Sequence, residues 1–440
     1  MTKFTHKLLK LVLGPAIRVV MFALVLGVFG AGAALAQTRG YVTNAQDNTV
    51  SVIDAATASV IATVPVGSSP SSVAVTPNGR FAYVTNQFSN TVSVISAASN
   101  TVVATVPVPV FPGAIAITPN GAFAYVTSSP DSKISVIDTA TNTVVTTIAV
   151  RSPFKLAMAP VGDLLYVTHG AIVNGVTVIN TVTNSVVTNI PVPADVTLNA
   201  AVTPDGAFVY VTLLSFTTGS KLAVIDAATN TVVSIVPLPA TFAGGLAITP
   251  DGAFAYVTNN GGGVCCAGPG PSSISVIDTA SNSEVTRVSL TLGFSPFGVA
   301  VTPDGASVYV TELSINSVLV IDTATNSPAN IVPVGHFPQS IAFGILTEEP
   351  PPPDPLDVLI EQVEGLIADG TLTQDQGDGL LDKIHEAVAK HDAGQTGAAC
   401  NQLSGFINQV EAFTGTGTLT PDQGQSLIDA ANAVKTKFGC

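Results

Sequence analysis

Few side chains of this chain could do acid–base chemistry. Beyond residue 36 there are four histidines, His169, His336, His385 and His391. A histidine can move a proton near neutral pH, a glutamate can act as general base, and an arginine can hold an oxyanion. Arg151, His169, Glu312 and His336 are the groups that could open a lactone or run a lyase reaction, but they are far apart in the chain. His385 and His391 fall in a charged C-terminal stretch and are expected to be solvated. No His-x-x-x-His, Cys-x-x-Cys or Cys-x-x-Cys-His run occurs, so neither zinc nor covalent haem is expected. There is no Gly-x-Ser-x-Gly and no phosphate-cradling loop. The chain has no Trp, which weakens a stacking site for a sugar or quinone. Catalytic residues, metals and cofactors are each expected to be none.

The elements that must position these groups are set by a repeat. All seven tyrosines, Tyr41, Tyr83, Tyr125, Tyr166, Tyr210, Tyr256 and Tyr309, are followed by Val-Thr, at steps of 42, 42, 41, 44, 46 and 53 residues. Such a period marks a propeller or solenoid. One unit reads Ser72-Val-Ala-Val-Thr-Pro-Asn-Gly79, Tyr83-Val-Thr-Asn86, Asn90-Thr-Val-Ser-Val-Ile95 and Thr101-Val-Val-Ala-Thr-Val-Pro-Val108. These are short β-branched runs separated by turn residues. Thr-Pro-Asn/Asp-Gly recurs at 76–79, 118–121, 203–206, 249–252 and 302–305, where Pro presets φ and Gly takes the left-handed position. Each unit holds four antiparallel strands, a to d from the axis outward.

The first Tyr-Val-Thr has no strand a before it, and Pro338 to Ile345 is a strand a with no strand b after it. The two complete each other, giving a mainly β fold, a seven-bladed β-propeller closed by its C-terminal inner strand, over 38–346. Asp54, Asp138, Asp226, Asp278 and Asp322 recur at blade period and read as turn caps, not a metal ring, because strand c lies off the axis.

After a Pro-rich linker, 347–355, the apolar period becomes helical. Leu356, Leu359, Ile360 and Val363 form one stripe, and Thr373-Gln-Asp-Gln376 and Thr420-Pro-Asp-Gln423 are capping boxes. Ile360-Glu-Gln-Val-Glu matches Ile407-Asn-Gln-Val-Glu, and Gly370-Thr-Leu-Thr recurs at Gly417, both at an offset of 47 residues. Residues 356–440 are therefore expected to form a small four-helix domain of two αα-hairpins. Cys400 and Cys440 are expected to pair. For the vicinal Cys265 and Cys266, a strained self-closed ring, outside partners and an inert loop pair all stay open.

Lys3, Lys7, Lys10 and Arg18 precede an apolar run from Val19 to Leu35, and Ala34-Leu35-Ala36 offers a cleavage site. Residues 1–36 read as a signal peptide, with an uncleaved anchor as the alternative. Removing the four basic residues takes the formal net charge from −14 to −18, which disfavours nucleic acid as a partner. An exported monomer is expected, in the periplasm, at the cell surface or secreted, with no stable membrane span after cleavage. Its partner would be an unidentified protein or envelope component.

The Tyr-Val-Thr-Asn, Asn-Thr-Val-Ser-Val-Ile-Asp and Thr-Pro-Asp-Gly elements resemble the YVTN family of β-propeller repeats, found in surface-layer and exported proteins, over about 40–345. The tail resembles the FIMAH-type helical domain. The resemblance implies an exported seven-bladed propeller and little chemistry.

Function is therefore sought where the repeats disagree. In a propeller the b–c and d–a connections share one face. There the residue after Tyr-Val-Thr varies, including His169 and Glu312 in the non-neighbouring blades four and seven, so a catalytic contact between them is not expected. Loops into strand a carry Phe111, Arg151, Phe154, Lys155, Phe242, Phe294, Phe297, His336 and Phe337 around the channel mouth. Either each Phe plugs between blades, or the rim is a platform for a partner or ligand. The expected function is a non-catalytic binding scaffold. The alternative is a propeller lactonase- or lyase-like enzyme with its site at the mouth.

Overall fold

A computed structural model describes residues 37–170, 173, 175–194, 196–215, 219–239, 242–261, 272–290, 295–346 and 354–440. The expected signal segment, Phe294, the Cys265–Cys266 pair and most of the Pro-rich linker lie outside the described residues. The chain divides into two compact units, Met1–Thr347 and Glu348–Cys440.

Unit one is seven four-stranded antiparallel sheets, the blades of a β-propeller. Blade one takes strand a from Pro338–Leu346 and strands b, c and d from Gln37–Asn44, Thr49–Asp54 and Ser59–Pro65. Tyr41 faces Ala342 across the closing pair. Ring closure thus follows from the unpaired strands at the two ends of the repeat region, and it removes the free edges both would otherwise expose. The longer Tyr-to-Tyr step of blade five extends its hairpin: Phe208–Ser215 and Gly219–Asp226 pair as far as Ser215 against Gly219.

The core lies between blades. Seven apolar clusters of the described residues each join two consecutive blades. One packs Tyr41, Val50 and Val52 of blade one on Val84 and Ile95 of blade two. Strands b and c read as nearly unbroken buried runs because both faces of each sheet are covered. Outer strands alternate, as in Thr101–Pro107, because only one of their faces is covered.

The turn residues act as their types require. Asp138 Oδ1 accepts from the backbone N–H groups of Ala140 and Thr141 at 2.9 and 2.8 Å. Asp54, Asp226, Asp278 and Asp322 cap their turns in the same way. No group of three or more potential metal ligands occurs among the described residues.

Unit two is four helices: α1 (Pro355–Ala368), α2 (Gln374–Asp392), α3 (Thr396–Gly415) and α4 (Pro421–Phe438). Both capping boxes are formed, by Thr373 with Gln376 and Thr420 with Gln423. Leu380, Ile384, Leu403, Phe406 and Val434 lie in one core. Cys400 and Cys440 form a disulfide with Cα atoms 5.7 Å apart. His385 is exposed, as expected. His391 is not solvated as expected: its ring stacks on Phe438 at 4.1 Å and 3°, because the end of α2 lies against the end of α4. No helix among the described residues is long and apolar enough to cross a membrane.

Candidate functional site

The geometry of the loop face begins with Tyr-Val-Thr. In five blades the Tyr hydroxyl reaches the c–d turn of the next blade, whereas the Tyr41 hydroxyl is buried without a hydrogen-bond partner among the described residues. Tyr83 donates to Asn142 Oδ1 at 2.7 Å, Tyr125 to Asn184 at 2.7 Å, Tyr210 to Asn282 at 2.6 Å and Tyr256 to Asn326 at 2.7 Å. Each of those Asn residues has positive φ, which Asn tolerates better than most residues. In blade one Ala58 takes the Asn position, and Tyr309 instead donates to the backbone carbonyl of Ala55.

The Thr acts nearer the axis. Its Oγ1 accepts the backbone N–H of its own strand a, as from Lys155 to Thr168 at 3.0 Å. It also donates to a carbonyl of the next blade, as from Thr168 to Leu198 at 3.1 Å and from Thr258 to Phe297 at 3.0 Å. The tripeptide is thus an interblade fastening, and the residue after it points inward as well. Asn44, Asn86 and Asn259 are fully buried and donate to strand-c hydroxyls such as Ser51 and Ser93.

His169 and Glu312 occupy that same position, and both are buried. His169 Nδ1 donates to the Arg151 carbonyl at 2.8 Å, and Nε2 meets the Thr177 hydroxyl at 2.9 Å. A carbonyl only accepts, so the proton sits on Nδ1. Burial pushes the His169 pKa down, which keeps the ring neutral. Neither Glu312 carboxyl oxygen has a hydrogen-bond partner among the described residues. Burial pushes its pKa up to about 8, and the Ser295 backbone N–H, short of a hydrogen bond, offsets this only in part.

His336 is exposed and bound to Asp47, by its backbone N–H at 2.7 Å and its Nδ1 at 2.9 Å. That backbone bond chiefly holds the Asp47 carboxyl below its ordinary pKa. Arg151 is exposed. Apart from the bond of His169 Nδ1 to the Arg151 backbone carbonyl, no hydrogen bond or ion pair joins any two of Arg151, His169, Glu312 and His336 among the described residues.

The aromatic rim divides in two. Phe154, Phe242 and Phe297 do not sit in the interblade clusters. They line an axial cavity of about 90 Å³ together with Lys155, Asn199 and Gln339, from strands a of blades one and four to seven. In the sequence Lys155 is no more than a rim neighbour of Phe154. The signal that marks it is its alignment with Ser72, Ala114 and Ser340, all small.

Phe111 and Phe337 lie in loops into strand a at φ 56° and 57°, where a bulky residue is strained. Asn90 Oδ1 holds the Phe111 N–H at 2.9 Å, and Asn316 Oδ1 holds that of Phe337 at 3.1 Å. Phe88, in the b–c turn of blade two, is 68% exposed and meets the Phe111 ring at 5.8 Å. Between blades one and two lies a groove of about 380 Å³, lined by Gln46, Asn48, Ser69, Phe88, Phe337 and Gln339 among others.

Residues 36–153 match the family described as lactonase, 7-bladed beta-propeller, and residues 356–436 match the FIMAH domain. No curated protein matches the chain. Among solved structures it is similar to Kuenenia stuttgartiensis hydrazine synthase, at 25% identity over 62% of this chain and 88% of that one, with a TM-score of 0.56. A functionally unknown protein from Desulfotomaculum acetoxidans DSM 771 is 17% identical over 70% and 99%, with a TM-score of 0.61. Dihydro-heme d1 dehydrogenase NirN in complex with DHE is 15% identical over 69% and 74%, with a TM-score of 0.51. The last two likenesses concern the fold alone. The chain thus joins a seven-bladed β-propeller, similar over its first blades to the lactonase family, to a C-terminal FIMAH domain.

Proposed function

We propose that this chain is an exported, non-catalytic propeller of YVTN type that binds a protein or ligand through its loop face. The observation that carries the reading is the groove of about 380 Å³ flanked by Phe88 and Phe337. Its volume falls in the range of ligand pockets, roughly 300–1,000 Å³. Two strained Phe residues beside it fit the tendency of functional sites to hold unfavourable backbone. Export is supported by the basic and apolar pattern of residues 1–36 and by the Cys400–Cys440 disulfide. The test is retention of a defined envelope component by full-length protein and by a Phe88→Ser/Phe111→Ser variant. Retention by the first and loss by the second supports the reading, and equal retention by both sinks it.

A second reading is an enzyme resembling propeller lactonases, with its site at the channel mouth. The family match over residues 36–153 favours it. Turnover of simple lactones by the full chain, abolished in His336→Ala, would establish it in place of the scaffold.

A further inference from the structure

The seven strand-a residues whose backbone N–H meets the Tyr-Val-Thr threonine form a ring around the axis. They are Ser340, Ser72, Ala114, Lys155, Asn199, Gly245 and Gly298. Six are small or neutral, and one is a lysine. Across the axis from blade four stand Gly298 and Ser340, which leave the Lys155 side chain the room of the axial cavity.

No carboxylate among the described residues lines that cavity, and no ion pair to Lys155 occurs among them. Desolvation pushes the Lys155 pKa down. The ammonium has one weak substitute for a counter-charge, the Phe154 ring at 5.9 Å, near the outer limit of a cation–π contact. In an acidic chain of 15 basic and 29 acidic residues, a half-buried cation without a carboxylate partner is a site that an anion would complete. Asn199 Oδ1 accepts from the Ala200 N–H at 2.9 Å, which leaves its amide NH2 as the donor for a ligand. Phe154 and Phe297 supply apolar walls. About 90 Å³ admits an anion of a few heavy atoms and excludes a large one.

We propose that the axial cavity binds a small carboxylate, its oxygens on the Lys155 ammonium and the Asn199 amide and its carbon part against Phe154 and Phe297. The site shares Gln339 with the loop-face groove but neither Lys155 nor Asn199, so failure of partner retention there leaves this proposal standing.

The test is NMR line broadening of carboxyl-labelled acetate on titration with full-length protein at constant ionic strength. Saturable broadening is expected in the wild type, retained within about threefold in Lys155→Arg and weakened roughly tenfold or more in Lys155→Met. Acetamide, the neutral isostere, should not compete. Lys155→Met removes an unpaired charge, so its Tm should equal or exceed that of the wild type. Should it nevertheless fail to fold, the wild-type titration decides alone. No saturable broadening in the wild type, undiminished binding in Lys155→Met, or displacement of acetate by equimolar chloride overturns the proposal.

Discussion

Tyr125 in blade three donates its hydroxyl to Asn184 Oδ1 in blade four at 2.7 Å, and Asn184 holds positive φ while it accepts. One bond therefore ties a strand of one blade to the turn of the next. Tyr125→Phe removes the donor and leaves the acceptor half-buried. The expected loss is about 1 kcal/mol. Asn184→Ala should cost more, because it also forces Ala into the left-handed region at roughly 1–2 kcal/mol. Denaturant unfolding of both single variants and the double variant checks this. A coupling near zero between the two sites would refute the fastening.

Gly245 has a different constraint. A Cβ there would stand 2.3 Å from the Phe297 carbonyl of the next blade. Gly245→Ala is expected to destabilise the propeller by roughly 1–3 kcal/mol. Gly405, inside α3, has open space for 4 Å around the place a Cβ would take. Gly405→Ala should stabilise the helical unit by about 0.5–1 kcal/mol. Differential scanning calorimetry of the two variants should show opposite shifts, each in its own unit.

Glu312 predicts a pH dependence. Its folded pKa, pushed up to about 8 by burial, lies above the ordinary carboxyl value of 4.5. Between these values the folded chain keeps a proton that the unfolded chain has lost. The stabilising effect of that proton is complete below 4.5 and is lost as pH rises toward 8, at about 1.4 kcal/mol per pH unit. Glu312→Gln should remove this slope, so the difference between variant and wild type should grow in favour of the variant from pH 5 to pH 8. His169 works in the opposite sense, since its lowered pKa weakens the fold as pH falls below about 6.5. It is present in both proteins and cancels in the comparison. A pH-independent difference would contradict the assignment.

The Cys400–Cys440 bridge spans 40 residues, including most of α3 and all of α4. Cys400→Ser/Cys440→Ser is expected to destabilise the helical unit by about 4 kcal/mol on the chain-entropy estimate. Calorimetry should show the transition of the helical unit move and that of the propeller stay.

Most of the fold is legible in the sequence because repetition makes the same physical statement seven times. Tyr-Val-Thr marks strand b, Thr-Pro-Asp-Gly the a–b turn, and the missing inner strand before Tyr41 the closure. The site is less legible. His169 and Glu312 stand out by being different, yet they occupy a position that is buried in blades one, two and six as Asn44, Asn86 and Asn259. The recurrence of Asn there is the signal that the position faces inward. The aromatic rim sorts by its place beside the Pro that opens strand a: Phe111 and Phe337 precede that Pro, and Phe154 and Phe297 follow it. The path of the backbone then sends the first pair to the face and the second to the axis.

The closing pair of blade one has a consequence for how the molecule comes into being. The Thr43 hydroxyl accepts from the Ser340 N–H, 297 residues further along the chain. At synthesis speeds on the order of 5–20 residues per second, the first strand waits roughly 15–60 s for its partner to be made. Throughout that interval blade one is an incomplete three-stranded sheet. The ring therefore cannot close before the chain has grown past Ser340, and until then the propeller is open at the blade that was started first.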